Sequence, residues 1–470
     1  MNSTVGVTEG LARFIHDIPR SGGIPEPVAN KAVKAIVDAF AAVLCGAVSE
    51  VAPSLFRYIE QSGSHGDAIV LGTGMRTSPE MAALANGTIG AALEYDDVFS
   101  AMPGHPAAII VPALCAEAAR RRITGAEFLD AFIIGYEVGA KIAFGIGMGH
   151  YQKRGYHATG TLAMYCALAA VARVRSMSVD EIRMAIGIAS SMAGGLQCQF
   201  GTMMKPFHSG WAARCGLSAV DLAKCGYTGS DRALEQEDGG FFKAYGTPES
   251  EPALALKGLG DPWALMDPGF ALKKFPSCYA GHRAIDGLMR LREELGLTAE
   301  NVERVVCKVA PGALSPMKYP DPKTGLEAKF SIPYALAVGV LDGKYSLWSF
   351  TDEAVRRAEV RALLPKMEQI EDEYCLGGDP EQLKKSWGSR GFVEVEAWTR
   401  DGRSGKARVD FAPGHPKREL SWDEVGEKFK DCATSAGLTP AVASHLILRL
   451  GDLRSARDMQ SLLLAMRPES

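Results

Sequence analysis

The sequence predicts a mainly α protein, in which a large all-helical domain is joined to a smaller α+β domain. Helical periodicity with little charge fills the first two thirds of the 470 residues. Short, alternating β-branched segments follow after about residue 269, and helical periodicity returns at the carboxyl end. We therefore predict a helical domain over residues 1–269, completed by residues 416–470, and an α+β domain over residues 270–415.

Composition excludes several classes of protein. The chain is 47% hydrophobic and 23% charged, with a formal net charge of −4, which is typical of a globular protein. Without a basic excess, we expect no nucleic-acid partner. The sequence shows neither an apolar segment of membrane-spanning length nor the pattern of a secretion signal, so we expect a cytoplasmic protein with no membrane partner.

Sequence motifs indicate no metal and no nucleotide cofactor. The ten cysteines include no CxxC pair and no zinc-finger spacing, although metal and iron–sulfur sites are usually built on short local spacings. We expect reduced, mostly buried thiols. A Walker A loop, a dinucleotide fingerprint, HExxH and GxSxG are also absent from the sequence.

The helices of the first domain are predicted from their periodicity and their end signals. Ser178 and Glu181 have the spacing of a capping box, and a proline in the first turn marks the start of a helix over residues 79–94. Because these helices carry little charge, we expect a bundle with a large core. The segments 83–93 and 126–144 are so poor in charge that we expect a second copy of the chain to cover them in a homodimer. Further helices are predicted over residues 29–48, 106–121, 126–144 and 159–173.

The second domain is predicted to mix strands and helices. Residues 301–310 are β-branched and roughly alternating, which indicates a strand. Residues 391–398 and 406–411 alternate again, and Asp401-Gly402 between them indicates a hairpin turn. Helical sequence lies between these strands, over residues 330–342 and 351–367, and the tail over residues 423–466 is expected to return to the first bundle.

Two loops between predicted helices carry acidic and histidine residues. The first places Asp96 and Asp97 shortly before His105, across a Pro-Gly loop. Its structural alternative is a solvated acidic pair with a capping histidine. The second places His157 directly before a helix start, where free backbone amides favour an anion. Its alternative is a surface histidine.

Two further segments carry lysines. Lys205 lies in an apolar stretch, so its ammonium either extends to water or meets a buried anion, and His208 is expected to cap the next helix. Lysines at a hinge are commonly solvated, and a thiolate near lysines is a candidate nucleophile. The segment at the domain junction contains Lys273, Lys274, Cys278, Tyr279 and His282.

Together the four segments favour chemistry on a small polycarboxylate. Ammonium groups can bind the carboxylates of a di- or tricarboxylate and stabilise the enolate-like charge of a carbanion. Histidine suits proton abstraction from carbon because its ordinary pKa lies near neutrality. We expect these side chains to line one pocket between the two domains.

Five segments, in this order, resemble the MmgE/PrpD family: DD…GHP, GYHATGTLA, GTMMKPFHSGWAARCG, KKFPSCYAGH and EAKFSIPYALA. The resemblance covers nearly the whole chain. It implies an MmgE/PrpD-like fold with a helical domain formed by both chain ends, usually a homodimer, and chemistry without metal or organic cofactor. It places these residues in the active-site cleft: Asp96 or Asp97, His105, His157, Lys205, Lys273 and Tyr319.

The family includes 2-methylcitrate dehydratase, cis-aconitate decarboxylase and iminodisuccinate epimerase. The motif detail of this chain is most similar to the epimerase. It departs from the decarboxylase pattern at Cys278, where that enzyme has a histidine, and in an acidic loop one residue longer, which contains Glu94 and Val98. The resemblance implies a cofactor-independent lyase or epimerase acting on a small di- or tricarboxylate, with a cis-aconitate decarboxylase-like activity as the alternative.

Roles follow from this resemblance. His157 or His105 would transfer the proton, oriented by the Asp96–Asp97 pair, while Lys205 would stabilise charge. Two other classes stay open at this point: an inactive helical binding or scaffold protein, and a thiol enzyme using Cys278. The residues assigned to substrate binding are Lys273, Lys274, Cys278, Tyr279, His282 and Tyr319.

Overall fold

The computed structural model describes residues 5–19 and 23–468. Within them the chain is mainly helical with a smaller α+β part, so the predicted fold class is confirmed. The helices are α1 (Val7–Asp17), α2 (Glu26–Gly46), α3 (Ala52–Gln61), α4 (Pro79–Ala92), α5 (Ala107–Ala118), α6 (Gly125–Ile146), α7 (Gly149–Gln152), α8 (Ala158–Thr161), α9 (Met164–Val174), α10 (Val179–Ser190), α11 (Met204–Lys224), α12 (Phe241–Tyr245), α13 (His282–Leu295), α14 (Gly325–Ala328), α15 (Ile332–Asp342), α16 (Asp352–Arg356), α17 (Ala358–Leu363), α18 (Trp422–Ser435), α19 (Pro440–Gly451) and α20 (Met459–Leu464). The strands are β1 (Ala68–Ile69), β2 (Arg76–Thr77), β3 (Val302–Val309), β4 (Met367–Glu371), β5 (Val393–Thr399) and β6 (Ser404–Val409).

The helices with the least charge lie at the centre of the bundle. Every residue of α5 is buried, as is every residue of α4 from Ala82 onward. α4 packs closely on α11, because a Cβ at Gly210 would lie 2.1 Å from the Leu84 carbonyl oxygen. The inference that a second copy covers α4 and α6 is therefore wrong, since helices of the same chain already cover them. A homodimer stays a prediction without that support.

The two ends of the chain share one hydrophobic core. This core contains residues of α1 to α6 and of α8 to α11, together with Val425, Phe429 and Cys432 of α18. A second core, from Ala280 to Ala397, lies between the sheet and helices α13 and α15. The predicted domain boundaries themselves stay a prediction. Among the described helices, none combines the length and apolar character that a membrane span requires.

The main sheet has the order β4-β3-β5-β6. The three predicted strands are present, and β5 and β6 form the predicted antiparallel hairpin. The sequence prediction missed β4, which pairs in parallel with β3 at the sheet edge. Its residues MEQIE are largely polar and lack alternation, and only the first of them, Met367, lies within the predicted helix over residues 351–367. That predicted helix is instead two short helices, α16 and α17, and the one over residues 159–173 is divided into α8 and α9.

Candidate active site

A buried cavity of about 80 Å³ lies where the helical bundle meets the α+β part. Both parts contribute to its wall: the loop between α4 and α5, the start of α11, and the segments around residues 278 and 387. The charged and titratable side chains that line it are Glu94, His105, His157, Lys205, Lys273, Cys278 and Tyr279.

The loop between α4 and α5 brings its acidic residues into the protein. Glu94 has a φ of 53°, a left-handed conformation that costs a residue with a side chain about 1–3 kcal/mol. This turn ends α4 and directs the following residues inward. Gly104 lets the loop pack against the start of α8, because a Cβ there would lie 3.2 Å from the Thr159 nitrogen.

Two carboxylates and two ammonium groups form one buried network. The Lys273 ammonium donates to Glu94 Oε2 at 3.1 Å and to Asp96 Oδ1 at 3.0 Å. The second oxygen of Glu94 binds the Lys205 ammonium. The formal charges of these four residues therefore balance inside the protein.

The network shifts the pKa of its members in opposite directions. Although burial opposes it, the charges of Lys205 and Lys273 hold the pKa of Glu94 below its ordinary value. Burial also disfavours the ammonium of Lys273, yet Asp96 and Glu94 raise its pKa above the ordinary value. Glu94 and Lys273 therefore stay charged in spite of their burial.

His105 is oriented by the backbone and by one carboxylate. Its Nδ1 lies 2.5 Å from the Asp97 carbonyl oxygen and 3.4 Å from Asp96 Oδ2. Because a carbonyl can only accept, Nδ1 carries the proton and Nε2 offers its lone pair, 3.4 Å from the Lys205 ammonium. Burial, with Lys205 and Lys273, lowers the pKa of His105 to about 4 against the opposing effect of Asp96. This imidazole is neutral at neutral pH.

The Asp97 side chain makes different contacts from the Asp96 side chain. Its Oδ1 accepts the Ala107 N–H at 3.1 Å, at the first residue of α5. Burial and the charge of Asp96 raise its pKa well above the ordinary value. Asp97 therefore acts on His105 through its carbonyl group rather than through its carboxyl group.

His157 faces the same cavity from the other side. It lies immediately before the one-turn helix α8, and its Nδ1 is 2.9 Å from Nδ1 of His208 on α11. The ring centroids of His157 and His105 are 6.2 Å apart. Burial and the neighbouring cations lower the pKa of His157 well below its ordinary value. His208, expected to be a helix cap, is instead the hydrogen-bond partner of this imidazole.

Three residues assigned to substrate binding lie outside the cavity wall. Lys274 pairs with Glu424 of α18 at 2.9 Å on the exposed surface. His282 is buried, with Nε2 3.1 Å from the Ser277 carbonyl oxygen. The Tyr319 hydroxyl donates to the carbonyl oxygen of Phe200 at 2.8 Å and so supports a wall residue from behind.

The remaining two assigned residues line the cavity but are not activated. Burial and the Glu94 charge raise the pKa of Cys278 to about 11, which opposes formation of the nucleophilic thiolate. Burial also raises the pKa of Tyr279. The thiol-enzyme alternative is therefore unsupported by the surroundings of Cys278.

A metal site at this position would compete with the lysines. Glu94, Asp96 and His105 bring one potential ligand atom each within 4.8 Å of one another. Both carboxylates, however, already bind Lys273, whose ammonium supplies the positive charge that a metal ion would bring. The donor set fits an ion-pair network better than a metal centre.

Aromatic and serine residues close the cavity. The rings of Trp387 and Tyr151 lie 4.9 Å apart across its wall, and Ser389 donates to Ser100 at 3.0 Å. The segment over residues 386–389 separates the catalytic cavity from a larger one of about 600 Å³. The charged groups of the small cavity are nevertheless buried, and electrostatic contacts between buried groups are stronger than contacts in water.

Fold and site together define a two-domain, mainly helical protein with buried histidines and lysines around one cavity. Residues 9–252 match the MmgE/PrpD N-terminal domain, and residues 275–448 match the MmgE/PrpD C-terminal domain. The chain belongs to the MmgE/PrpD family, as its five motifs predict.

Curated relatives support an enzyme of the lyase type. Cis-aconitate decarboxylase of Homo sapiens is 27% identical over 470 residues, covering 97% of this chain and 94% of the relative. The Mus musculus cis-aconitate decarboxylase is also 27% identical, covering 97% of this chain and 93% of its own. Cis-aconitate decarboxylase of Aspergillus terreus is 28% identical, covering 84% of this chain and 86% of the relative. The epimerase-like detail of the motifs has no counterpart in these names and stays a prediction.

Proposed function

We propose that the protein is a cofactor-independent lyase that transfers a proton at a carbon atom of a small di- or tricarboxylate. One observation carries the proposal: two buried imidazoles with lowered pKa and two buried ammonium groups line the same cavity. Imidazoles can move the proton, and ammonium groups stabilise the carboxylate and enolate charges that its removal creates.

His105 is the general base in this proposal. Its Nε2 lone pair meets the Lys205 ammonium at 3.4 Å and exchanges that contact for the substrate C–H, while its Nδ1–H is held by the Asp97 carbonyl. When Nε2 takes a proton from carbon, the resulting imidazolium lies beside the Asp96 carboxylate. An orienting acceptor and a nearby anion are what a base needs in order to act from a fixed position.

Lys205 and Lys273 bind the substrate through those ammonium N–H groups that make no hydrogen bond within the protein. An ammonium has three N–H donors. Lys273 directs two of them at Glu94 and Asp96, and Lys205 contacts Glu94 and His105 Nε2. One donor of each lysine therefore remains for a substrate carboxylate and for the charge that develops next to it.

His157 is proposed as the proton donor on the opposite side. If the His208 Nδ1–H donates to it, the His157 proton lies on Nε2, the nitrogen on the far side of the ring from that bond. A neutral imidazole of this kind can protonate a leaving hydroxyl in a dehydration or return a proton to carbon after a decarboxylation. A dehydration uses both groups, with proton removal by His105 and protonation of the leaving hydroxyl by His157. A decarboxylation needs only the donor, because loss of carbon dioxide itself leaves the electron pair on carbon that His157 protonates.

Cis-aconitate is the first substrate to test, because the curated relatives are named for it. A second candidate, epimerisation of a dicarboxylate, is favoured by Cys278 and Glu94. Both line the cavity at positions where the sequence departs from the decarboxylase pattern. Epimerisation uses the same two imidazoles, with removal of the proton on one face and its return on the other.

Proton NMR in deuterium oxide distinguishes these reactions in a single assay. The parent protein is incubated with cis-aconitate, with hydroxy tricarboxylates and with amino or imino dicarboxylates. Loss of carbon dioxide, loss of water or deuterium incorporation identifies the reaction. A folded parent that changes none of these acids, including their carbon-bound protons, would contradict the proposal and favour the binding or scaffold alternative.

We also propose a homodimer, as the family resemblance implies, and the cytoplasmic location stays a prediction. The exposed side chains of Leu196, Met203 and Met204 give the helical part an apolar surface that a second copy can cover. Light scattering at micromolar concentration should show twice the chain mass. A monomer would contradict the proposal.

A further inference from the structure

Lys428 is a buried lysine that the proposed mechanism does not use. It lies on α18, in the carboxyl-terminal segment that returns to the helical bundle, and is only 5% exposed. Its ammonium donates to Asp38 Oδ1 at 2.6 Å, to the Tyr95 carbonyl oxygen at 2.7 Å and to the Lys273 carbonyl oxygen at 2.9 Å. All three donors of the ammonium are therefore in use.

The two carbonyl groups belong to the two loops whose charged side chains form the ion pairs at the cavity. Tyr95 lies between Glu94 and Asp96 in the sequence. Lys273 is the residue that both of these carboxylates bind. One buried ammonium thus holds the backbone on both sides of the catalytic ion pairs.

Neighbouring contacts show that α18 attaches to this junction at two points. The side chain of Lys274 pairs with Glu424, one helical turn before the buried lysine. The Tyr95 hydroxyl donates to the Lys274 carbonyl oxygen at 3.2 Å. The two loops are also bridged directly, because Val98 and Ala271 exchange backbone hydrogen bonds of 2.8 Å. Lys274, assigned from the sequence to substrate binding, is a part of this attachment.

We propose that Lys428 is a positioning residue for the reaction. Its bonds to the Tyr95 and Lys273 carbonyls set the separation of the two loops. They thereby hold the Lys273 ammonium where the transition-state charge develops. The kinetic part of this inference rests on the proposed function, whereas the structural part does not.

Removal of these bonds should affect the rate more than substrate binding. In Lys428→Met the Lys273 ammonium keeps its charge but loses its fixed position. A misplacement of about 1 Å can lower a catalytic rate by about 10²-fold. We therefore expect kcat to fall by about 10–10²-fold while KM changes less, the sign of a contact that matters mainly in the transition state.

The chain offers a matched control in Lys141 of α6. This lysine is also buried, pairs with Glu137 at 3.5 Å, and donates to the carbonyl oxygens of Lys257 and Gly258 at 3.0 and 2.6 Å. The loop it holds lies outside the catalytic cavity wall. Lys141→Met should therefore lower thermal stability as Lys428→Met does, but leave kcat within about twofold of the parent.

Loss of the Lys428 charge alone would leave Asp38 as a buried carboxylate without its partner. A second variant, Asp38→Asn/Lys428→Met, removes both charges together and avoids that penalty. It tests the same carbonyl bonds if Lys428→Met does not fold. The same loss of kcat is expected from both variants.

The experiment combines turnover of cis-aconitate, or of the acid that the parent converts, with hydrogen exchange of the free protein followed by mass spectrometry. Faster exchange confined to peptides around residues 94–99 and 270–275, together with the loss of kcat, supports the inference. Parent-like exchange there, or a kcat within twofold of the parent in a folded variant, overturns it. If the parent turns over no acid at all, the proposed function fails, and hydrogen exchange alone decides whether Lys428 fixes the loops.

Discussion

The two sides of the catalytic cavity lower the pKa of a histidine by the same means but surround it differently. Burial and the two lysines disfavour protonation of both His105 and His157. On the His105 side, the carboxylates of Asp96 and Glu94 oppose this effect. On the His157 side, the partners are a second imidazole and the ring of Phe200. The comparison teaches that only His105 can take up a proton next to a compensating anion.

Removal of the base should have the largest effect. We expect His105→Gln to lower kcat by about 10²–10⁴-fold, the usual contribution of general base catalysis. KM should change little, because a neutral imidazole does not bind the substrate charge. Steady-state kinetics of the folded variant test this. A kcat within tenfold of the parent would remove His105 from the base role and reverse the comparison.

Removal of the Lys205 ammonium, which lies between the two histidines, should have the second-largest effect on kcat. Lys205→Ala should lower kcat by about 10²–10³-fold, as loss of a preorganised electrostatic contact does. KM should rise too, because the same ammonium binds a carboxylate in the ground state. The matched control is Lys224→Ala, which removes an exposed lysine at the far end of the same helix, paired with Glu181 at 2.8 Å, and should leave both constants near those of the parent. Equal losses in both variants would contradict the assignment of Lys205.

Substitution of His157, the proposed proton donor, should lower kcat by a smaller factor. His157→Gln keeps a hydrogen-bond donor near the substrate but loses the transferable proton, which water can supply instead. We therefore expect kcat to fall by about tenfold, or about 1.4 kcal/mol of transition-state stabilisation. The parallel variant His208→Gln should have a similar effect, because it removes the partner that fixes the His157 ring. A loss of kcat as large as that of His105→Gln would show that the two sides contribute equally.

The smallest effect concerns stability against acid. Burial holds the pKa of His157 in the folded protein well below the value of 6.5 in the unfolded chain. Below that value the unfolded chain binds a proton that the folded protein does not, so stability falls as the pH falls. In His157→Gln the free energy of unfolding should therefore fall less steeply with decreasing pH, by up to about 1.4 kcal/mol per pH unit.

Urea unfolding of the parent and of both histidine variants, from neutral pH down to about pH 5, measures this slope. His105→Gln should change it in the same direction, because burial also lowers the pKa of His105, to about 4. An unchanged or steeper slope in either variant would contradict the burial of a neutral imidazole.

Periodicity predicted the fold well where one face of an element is apolar. The strand β3 and the β5–β6 hairpin follow from their alternation, and the capping box of Ser178 and Glu181 is present at the start of α10. The edge strand β4 was missed because its polar residues show no alternation. Its pairing with β3 depends on a contact between segments some sixty residues apart in the chain, which local sequence does not reveal.

The candidate site was predicted in part for a similar reason. His105, His157, Lys205 and Lys273 each lie where the helical pattern is interrupted, and all line one cavity. Adjacent residues of an extended segment point in opposite directions. Lys273 therefore points into the cavity while Lys274 pairs with α18 on the surface. The sequence alone does not indicate which of the two lysines faces the cavity and which lies on the surface.

Two site residues were not assigned from the sequence. Glu94 was noted only as a departure from a family pattern, yet it binds both catalytic lysines. An acidic residue at the end of an otherwise apolar helix is the signal that could have identified it. His208 was interpreted as a cap, because its partner His157 is 51 residues away in the chain.

Deuterium incorporation at the reacting carbon, compared between His105→Gln and His157→Gln, tests the central claim most directly. Measured at the carbon-bound protons of the unconverted substrate, the signal reports proton removal itself, before water is lost or the proton is returned. If His105 is the base, His105→Gln shows no incorporation above the background without enzyme, while His157→Gln still incorporates deuterium at a measurable rate. Incorporation at the parent rate in His105→Gln, with none in His157→Gln, would contradict the claim.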